Sequence, residues 1–236
     1  MPEPIPRAVP ALLSFTAGYV DACTFFALFG LFVAQVTGSF VIAGAQLVTH
    51  DEGFLIKVLA IPVFFTAGVL TTIVAEVLRR RGRSALVWSL SLECALLTGF
   101  VVLGLTVPIE PHPNAPLTLL AAMLGLSAMG VQSALVRLLL PGVASTNVMT
   151  TNTTLFAIDA GELLLGWHGK RKSGDPAAAA HYDAARDRLA GLVPIGIGFL
   201  LGTVAGACGY LLFGLWCLLL ILAVLLGLIG WAARRA

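Results

Sequence analysis

Charge is what this sequence has least of: 11% of its residues are Asp, Glu, Lys or Arg, against roughly 25% in soluble domains. So few charges cannot coat a globular surface in water. With 58% hydrophobic residues and a mean hydropathy of +0.97, the natural solvent for the exterior is a lipid bilayer. The net charge is only +2, too small for the basic face that nucleic acid requires, so no nucleic-acid partner is expected. Cysteine is scarce as well. Cys23, Cys94, Cys208 and Cys217 all lie inside apolar runs, with no CxxC and no histidine at ligand spacing. They read as small buried hydrophobes, which argues against a metal or redox role. His50, His112, His168 and His181 fall in connectors or at segment ends. No hydrolase, kinase or metalloprotease motif occurs, so an enzyme is not expected, and no cofactor.

What is present is a series of apolar runs, at 9–32, 33–49, 54–78, 85–107, 116–140, 143–166, 189–211 and 213–232. A helical span needs about 20 residues. The first run is too long for a secretory leader and carries Asp21, so it reads as a retained helix.

Lys and Arg collect on the cytoplasmic side of a membrane. The basic clusters are Arg79 to Arg83, Lys170-Arg171-Lys172 and Arg234-Arg235, with Arg7 as a weaker fourth. If all eight runs crossed, the first two clusters would fall on opposite sides. If 33–49 and 143–166 do not fully cross, six spans remain, and every cluster and both termini lie inside. A straight helix over 143–166 would be about 36 Å long, so it must be broken, tilted or folded back. The same two runs are the most polar, with Gln35-Val36-Thr37-Gly38-Ser39 in one and Ser145-Thr146-Asn147 to Thr154 in the other. Thr, Asn, Ser and Gly compete with helical backbone bonding and favour breaks. Non-helical backbone at membrane depth persists only inside protein or along a cavity. The expected fold is therefore an all-α polytopic membrane protein, 1–236 as one domain, with six spans and two broken or re-entrant segments.

The halves echo each other. Gly18-Tyr19-Val20-Asp21-Ala22 lies over Gly130-Val131-Gln132-Ser133-Ala134. Val36-Thr37-Gly38-Ser39 lies over Met149-Thr150-Thr151-Asn152, and Ile61-Pro62 over Val193-Pro194. The offset grows from about 112 to about 132 residues because the polar stretch Gly169 to Arg188 is inserted in the second half only. This assigns 9–107 to a first repeat and 116–232 to a second, with 169–188 as a cytoplasmic loop that has room for a short helix. Three spans per half makes the repeats inverted, a recurrent plan of secondary transporters with a midplane site.

The Gly18-Tyr-Val-Asp21-Ala22 element followed by Thr37-Gly38-Ser39 resembles the YoaK-like family of bacterial membrane proteins. Gly130-Val-Gln132-Ser-Ala134 and the Thr-rich stretch resemble it too, and the likeness covers most of the chain. It departs at Ser39, where the family more often has Asn, and in the long 169–188 stretch. The resemblance implies a bacterial inner-membrane location and about six spans. It supplies no substrate.

Asp21 is the leading candidate residue, because a carboxylate at bilayer depth costs a few kcal/mol and marks a partner, a cavity or a function. It shares a helical face with Ser14, Gly18 and Phe25. One reading makes it a protonatable or cation-binding group, the other a structural tie to the broken segments. Thr37, Gly38 and Ser39, with Asn147, Thr150, Thr151 and Asn152, are expected to meet across the pseudo-two-fold around a small polar solute or ion. Gln132 and Ser133 join them from the fifth run, 116–140. Arg137 reads as a snorkelling cation, or as a charge partner for Asp159, Glu162 or an anionic ligand. Glu93 is the other embedded acid, deeper than the interfacial Glu76. Gly202, Ala205, Gly206 and Gly209 form a small-residue face for close packing within the bundle or in a homo-oligomer. The readings rank as a secondary transporter coupled to H+ or Na+ through Asp21, then a non-transporting sensor or assembly subunit, then a passive channel.

Overall fold

The computed structural model describes residues 5–49, 53–106, 113–173 and 176–235, without the side chains of 167–173 and 176–178. The connectors read as poorly basic lie for the most part outside the described residues. All regular structure among the described residues is helical: α1 Ala8–Ala27, α2 Val36–Thr49, α3 Phe54–Val58, α4 Ala60–Arg80, α5 Ala85–Thr106, α6 Pro116–Leu139, α7 Met149–Ser173, α8 Pro176–Phe213 and α9 Leu219–Ala233.

Among the described residues, five stretches are long and apolar enough to cross a membrane: Ala8–Ala27, Phe54–Arg80, Ala85–Thr106, Pro116–Leu139 and Ala179–Ala233. The last holds 55 residues, or about 80 Å of straight helix. It is broken at Gly214, whose φ of 56° opens a 3-10 turn over Gly214–Leu218 between α8 and α9. α2 has only 14 residues, about 21 Å of helix, and is shorter than the bilayer core. Large apolar side chains cover much of the described exterior: Val48, Leu165, Leu200, Leu211 and Leu212 all stand exposed. In water such a surface would drive aggregation; in lipid it is the expected coat. The chain is an all-helical membrane protein.

α1 is the most enclosed span, with 72% of its apolar window buried. Glycines explain how it gets there. Gly198, Gly202 and Gly206 recur every four residues on α8, and a Cβ on any of them would strike the backbone carbonyls of Ala11, Phe15 or Tyr19. Gly18 returns the favour, lying against Phe199 and Thr203. Without a hydrophobic force between helices in lipid, close backbone approach is what holds such a pair. The small-residue face on α8 therefore packs inside the bundle. Gly130 brings α6 equally close to Phe64 and Ala67 of α4. Tyr19 donates its hydroxyl to the Cys217 carbonyl at 3.1 Å, and the Cys23 and Cys217 thiols lie 3.4 Å apart. Cys23, Cys94 and Cys217 are buried as expected; Cys208 is exposed on the apolar exterior.

Two expectations need correcting. The Thr37-Gly38-Ser39 and Met149 to Thr154 stretches are helical, as the first turns of α2 and α7; the breaks lie just before them, over 28–35 and 140–148. Small polar side chains disfavour helix interiors but suit helix starts, where they meet unpaired amides. The 169–188 insertion is not a loop with a short helix. α7 runs on to Ser173 and α8 starts at Pro176, so nearly all of it lengthens two packed helices.

Candidate functional site

α1 is capped by Leu28, just past its last residue, whose N–H bonds the Thr24 carbonyl. Phe29 and Gly30 then take φ values of 56° and 77°, turning the chain back into the protein. Phe29 is a bulky residue in a region that favours glycine. Its carbonyl accepts a 2.7 Å hydrogen bond from the Lys57 ammonium, and Lys57 is fully buried.

The returning backbone meets Asp21. Its Oδ1 accepts from the Val33 and Ala34 N–H groups at 2.7 and 2.6 Å, and its Oδ2 from the Gln35 N–H at 3.0 Å. These amides lead directly into α2, so the Asp21 carboxyl group caps a helix start from another helix. This is how a 3% exposed carboxylate is tolerated. Ser39 closes the turn by donating to the Phe32 carbonyl and accepting from the Phe32 N–H. A Cβ at Gly38 would come to 3.2 Å from the Phe32 ring, so Gly38 makes room for that ring.

The second break is held by neutral groups. Ser14 donates to the Thr146 carbonyl at 3.0 Å. Gln132 donates to the Leu13 carbonyl at 3.0 Å and to the Thr146 hydroxyl at 3.2 Å. Ser145 donates to Asn147 Oδ1, and Asn152 donates to the Ser145 carbonyl. Asn147 also donates to the Ala34 carbonyl at 3.3 Å, and this bond joins the two breaks.

Between the breaks lies a cavity of about 180 Å3, whose polar side chains are Gln35, Thr37, Ser133, Asn147 and Thr150. It is smaller than the roughly 300–1,000 Å3 of sites for drug-sized ligands. The starts of α2 and α7 both face it, through Val36 and Met149. Among the described residues no hydrogen bond runs from the first amides of α7 to a side chain, in contrast to the start of α2, which Asp21 caps.

The structure thus brings Thr37, Ser133, Asn147 and Thr150 to one cavity. Asp21, Ser39, Gln132 and Asn152 hold its walls rather than line it, and Thr151 is exposed away from it. Asp159 and Glu162 pair with Arg188, at 2.7 Å each, not with Arg137. Glu76 pairs with Arg79 and Arg80. Glu93 is fully buried in α5, and neither carboxylate oxygen has a hydrogen-bond partner among the described residues. Sequence reasoning missed Lys57. Its signal was present: a single cation inside an apolar run, the same anomaly that singles out Asp21. No group of metal-ligating side chains occurs among the described residues.

The described residues thus form a helical membrane protein with a small cavity, lined by polar and apolar side chains alike, between two helix starts. Residues 9–231 match a family described as protein of unknown function, DUF1275, and the chain belongs to that family. Comparison with curated proteins and with solved structures finds no match.

Proposed function

We propose that this protein is a secondary transporter of a small polar solute in a bacterial inner membrane, a location in keeping with its YoaK-like motifs. In this reading it has six spans, both termini inside, and two inverted repeats around the central cavity. The packing supports the repeat: Gly18 of α1 seats on α8, and Gly130 of α6 seats on α4, an exchange expected if α1 corresponds to α6 and α4 to α8. Interrupted helices whose starts face a midplane cavity are the usual transporter plan. That is an analogy of architecture, and function has to come from the site.

The observation that carries the proposal is the Asp21 clasp. Its two oxygens hold the three amides that lead into the cavity wall at Gln35 to Thr37. A carboxylate holds them strongly; a protonated carboxyl is a weaker acceptor with a hydrogen of its own to place. Proton binding at Asp21 thus loosens the start of α2 and moves a wall of the solute cavity. H+ is favoured over Na+ as the coupling ion, because Na+ requires oxygen ligands and the groups surrounding this carboxylate are N–H donors.

The test is uptake by proteoliposomes across an imposed pH gradient, screened over small polar and anionic solutes. At least one solute accumulates in wild type with the gradient. In Asp21→Asn, accumulation is lost while exchange of solute across the membrane persists. Gradient-driven accumulation undiminished in Asp21→Asn sinks the coupling role.

A further inference from the structure

A second cavity, of about 570 Å3, opens at the end of the bundle where α1 begins and α6 finishes. Three arginines line it: Arg7 just ahead of α1, Arg137 in the last turn of α6, and Arg188 of α8. Arg188 is spent. Its Nε donates to Asp159 Oδ1 at 2.8 Å, and its Nη2 donates to Glu162 at 2.7 Å. Arg7 and Arg137 are not: among the described residues their side chains make no ion pair and no hydrogen bond. Asp159 is the reverse case. It lines the same cavity, is 3% exposed, and its Oδ2 has no partner. A buried carboxylate oxygen without a donor is costly. The cavity therefore presents two unspent guanidinium groups and one unspent buried acceptor, with Asp187 adding a second carboxylate. Apolar side chains such as Ile5, Leu155 and Ile195 form the remaining wall.

We propose that this cavity binds a zwitterion, its phosphate or carboxylate group between Arg7 and Arg137 and its ammonium group toward Asp159. A simple anion satisfies only the arginines and meets the two carboxylates unfavourably; a simple cation does the opposite. Guanidinium forks match phosphate and carboxylate oxygens in pairs. The position, at a bundle end flanked by apolar residues, admits two sources of the same chemistry: the headgroup of an aminophospholipid or a free zwitterion. The site is separate from the central cavity and does not depend on how that cavity functions.

The test uses the full-length protein in a detergent free of zwitterions, titrated with phosphoethanolamine, glycine, inorganic phosphate and ethanolamine while thermal unfolding is followed. Phosphoethanolamine or glycine raises the midpoint, with phosphate weaker and ethanolamine inert. The double variant Arg7→Gln/Arg137→Gln binds about tenfold more weakly or worse, the loss expected for removing charge-assisted bonds. Neither side chain supports the fold, so its midpoint without ligand stays at the wild-type value. Arg7→Lys/Arg137→Lys recovers part of the binding, and Arg83→Gln, outside the cavity, changes nothing. Asp159→Asn brings phosphoethanolamine down to the level of phosphate. Native mass spectrometry from mixed phosphatidylethanolamine, phosphatidylglycerol and phosphatidylcholine nanodiscs separates the sources. Retained phosphatidylethanolamine that the double variant loses identifies the headgroup, and binding of the free zwitterion alone identifies a solute. The proposal is overturned if no zwitterion binds in either arm, or if the double variant binds as well as wild type.

Discussion

At the scale of single residues, a few polar side chains in an apolar chain do most of the organising. Asp21 accepts from three successive amides across 12 to 14 residues of sequence. Asn in its place offers one acceptor oxygen and turns an NH2 toward an N–H, so Asp21→Asn is expected to cost about 2–4 kcal/mol. A lowered unfolding midpoint in detergent checks this, with Ser133→Ala on the cavity wall as a near-neutral control. Asp21 was legible in the sequence because a carboxylate in an apolar run is conspicuous. A tie to the broken segments was one of the two readings of that carboxylate; the particular amides, those of Val33, Ala34 and Gln35, were not legible, because backbone amides leave no mark in sequence. Arg188 is not legible as the partner of Asp159, because it lies 29 residues away, beyond any helical spacing. Lys57 is legible on the same ground as Asp21, as a lone charge in an apolar run.

Elements meet through glycine. Gly198, Gly202 and Gly206 let α8 lie against the backbone of α1 along three successive turns. Gly202→Ala pushes a methyl group into the Phe15 carbonyl and forces the helices apart, at a cost on the order of 1–3 kcal/mol. Gly227→Ala on α9, where a Cβ meets nothing within 4 Å, should stay within about 0.5 kcal/mol of wild type or gain slightly from helix propensity. Thermal unfolding of the two variants side by side decides it. The stripe itself was visible in sequence, but its partner helix was not. The polar runs were also visible, though their role differs: Thr37 and Thr150 start helices rather than break them. The composition that opposes a helix interior is the one that favours its first turn, and sequence alone does not say which side of the boundary a residue takes.

For the whole molecule, the distribution of basic residues predicts an even number of crossings. A reporter active only in the cytoplasm, fused after Ala236, is expected to be active, and one in the connector between α5 and α6 inactive. If the protein is a transporter, a solute reaches the one central cavity from both sides of the membrane in turn. Thr37→Cys, in a background with Cys23, Cys94, Cys208 and Cys217 replaced, places a thiol on the cavity wall between the two helix starts. Its reaction with a membrane-impermeant thiol reagent, applied outside or inside sealed vesicles, is the most direct measurement. Labelling is expected from either side, with the balance shifted by an imposed pH gradient and that shift absent in Asp21→Asn. Labelling confined to one side under every gradient would contradict alternating access through this cavity.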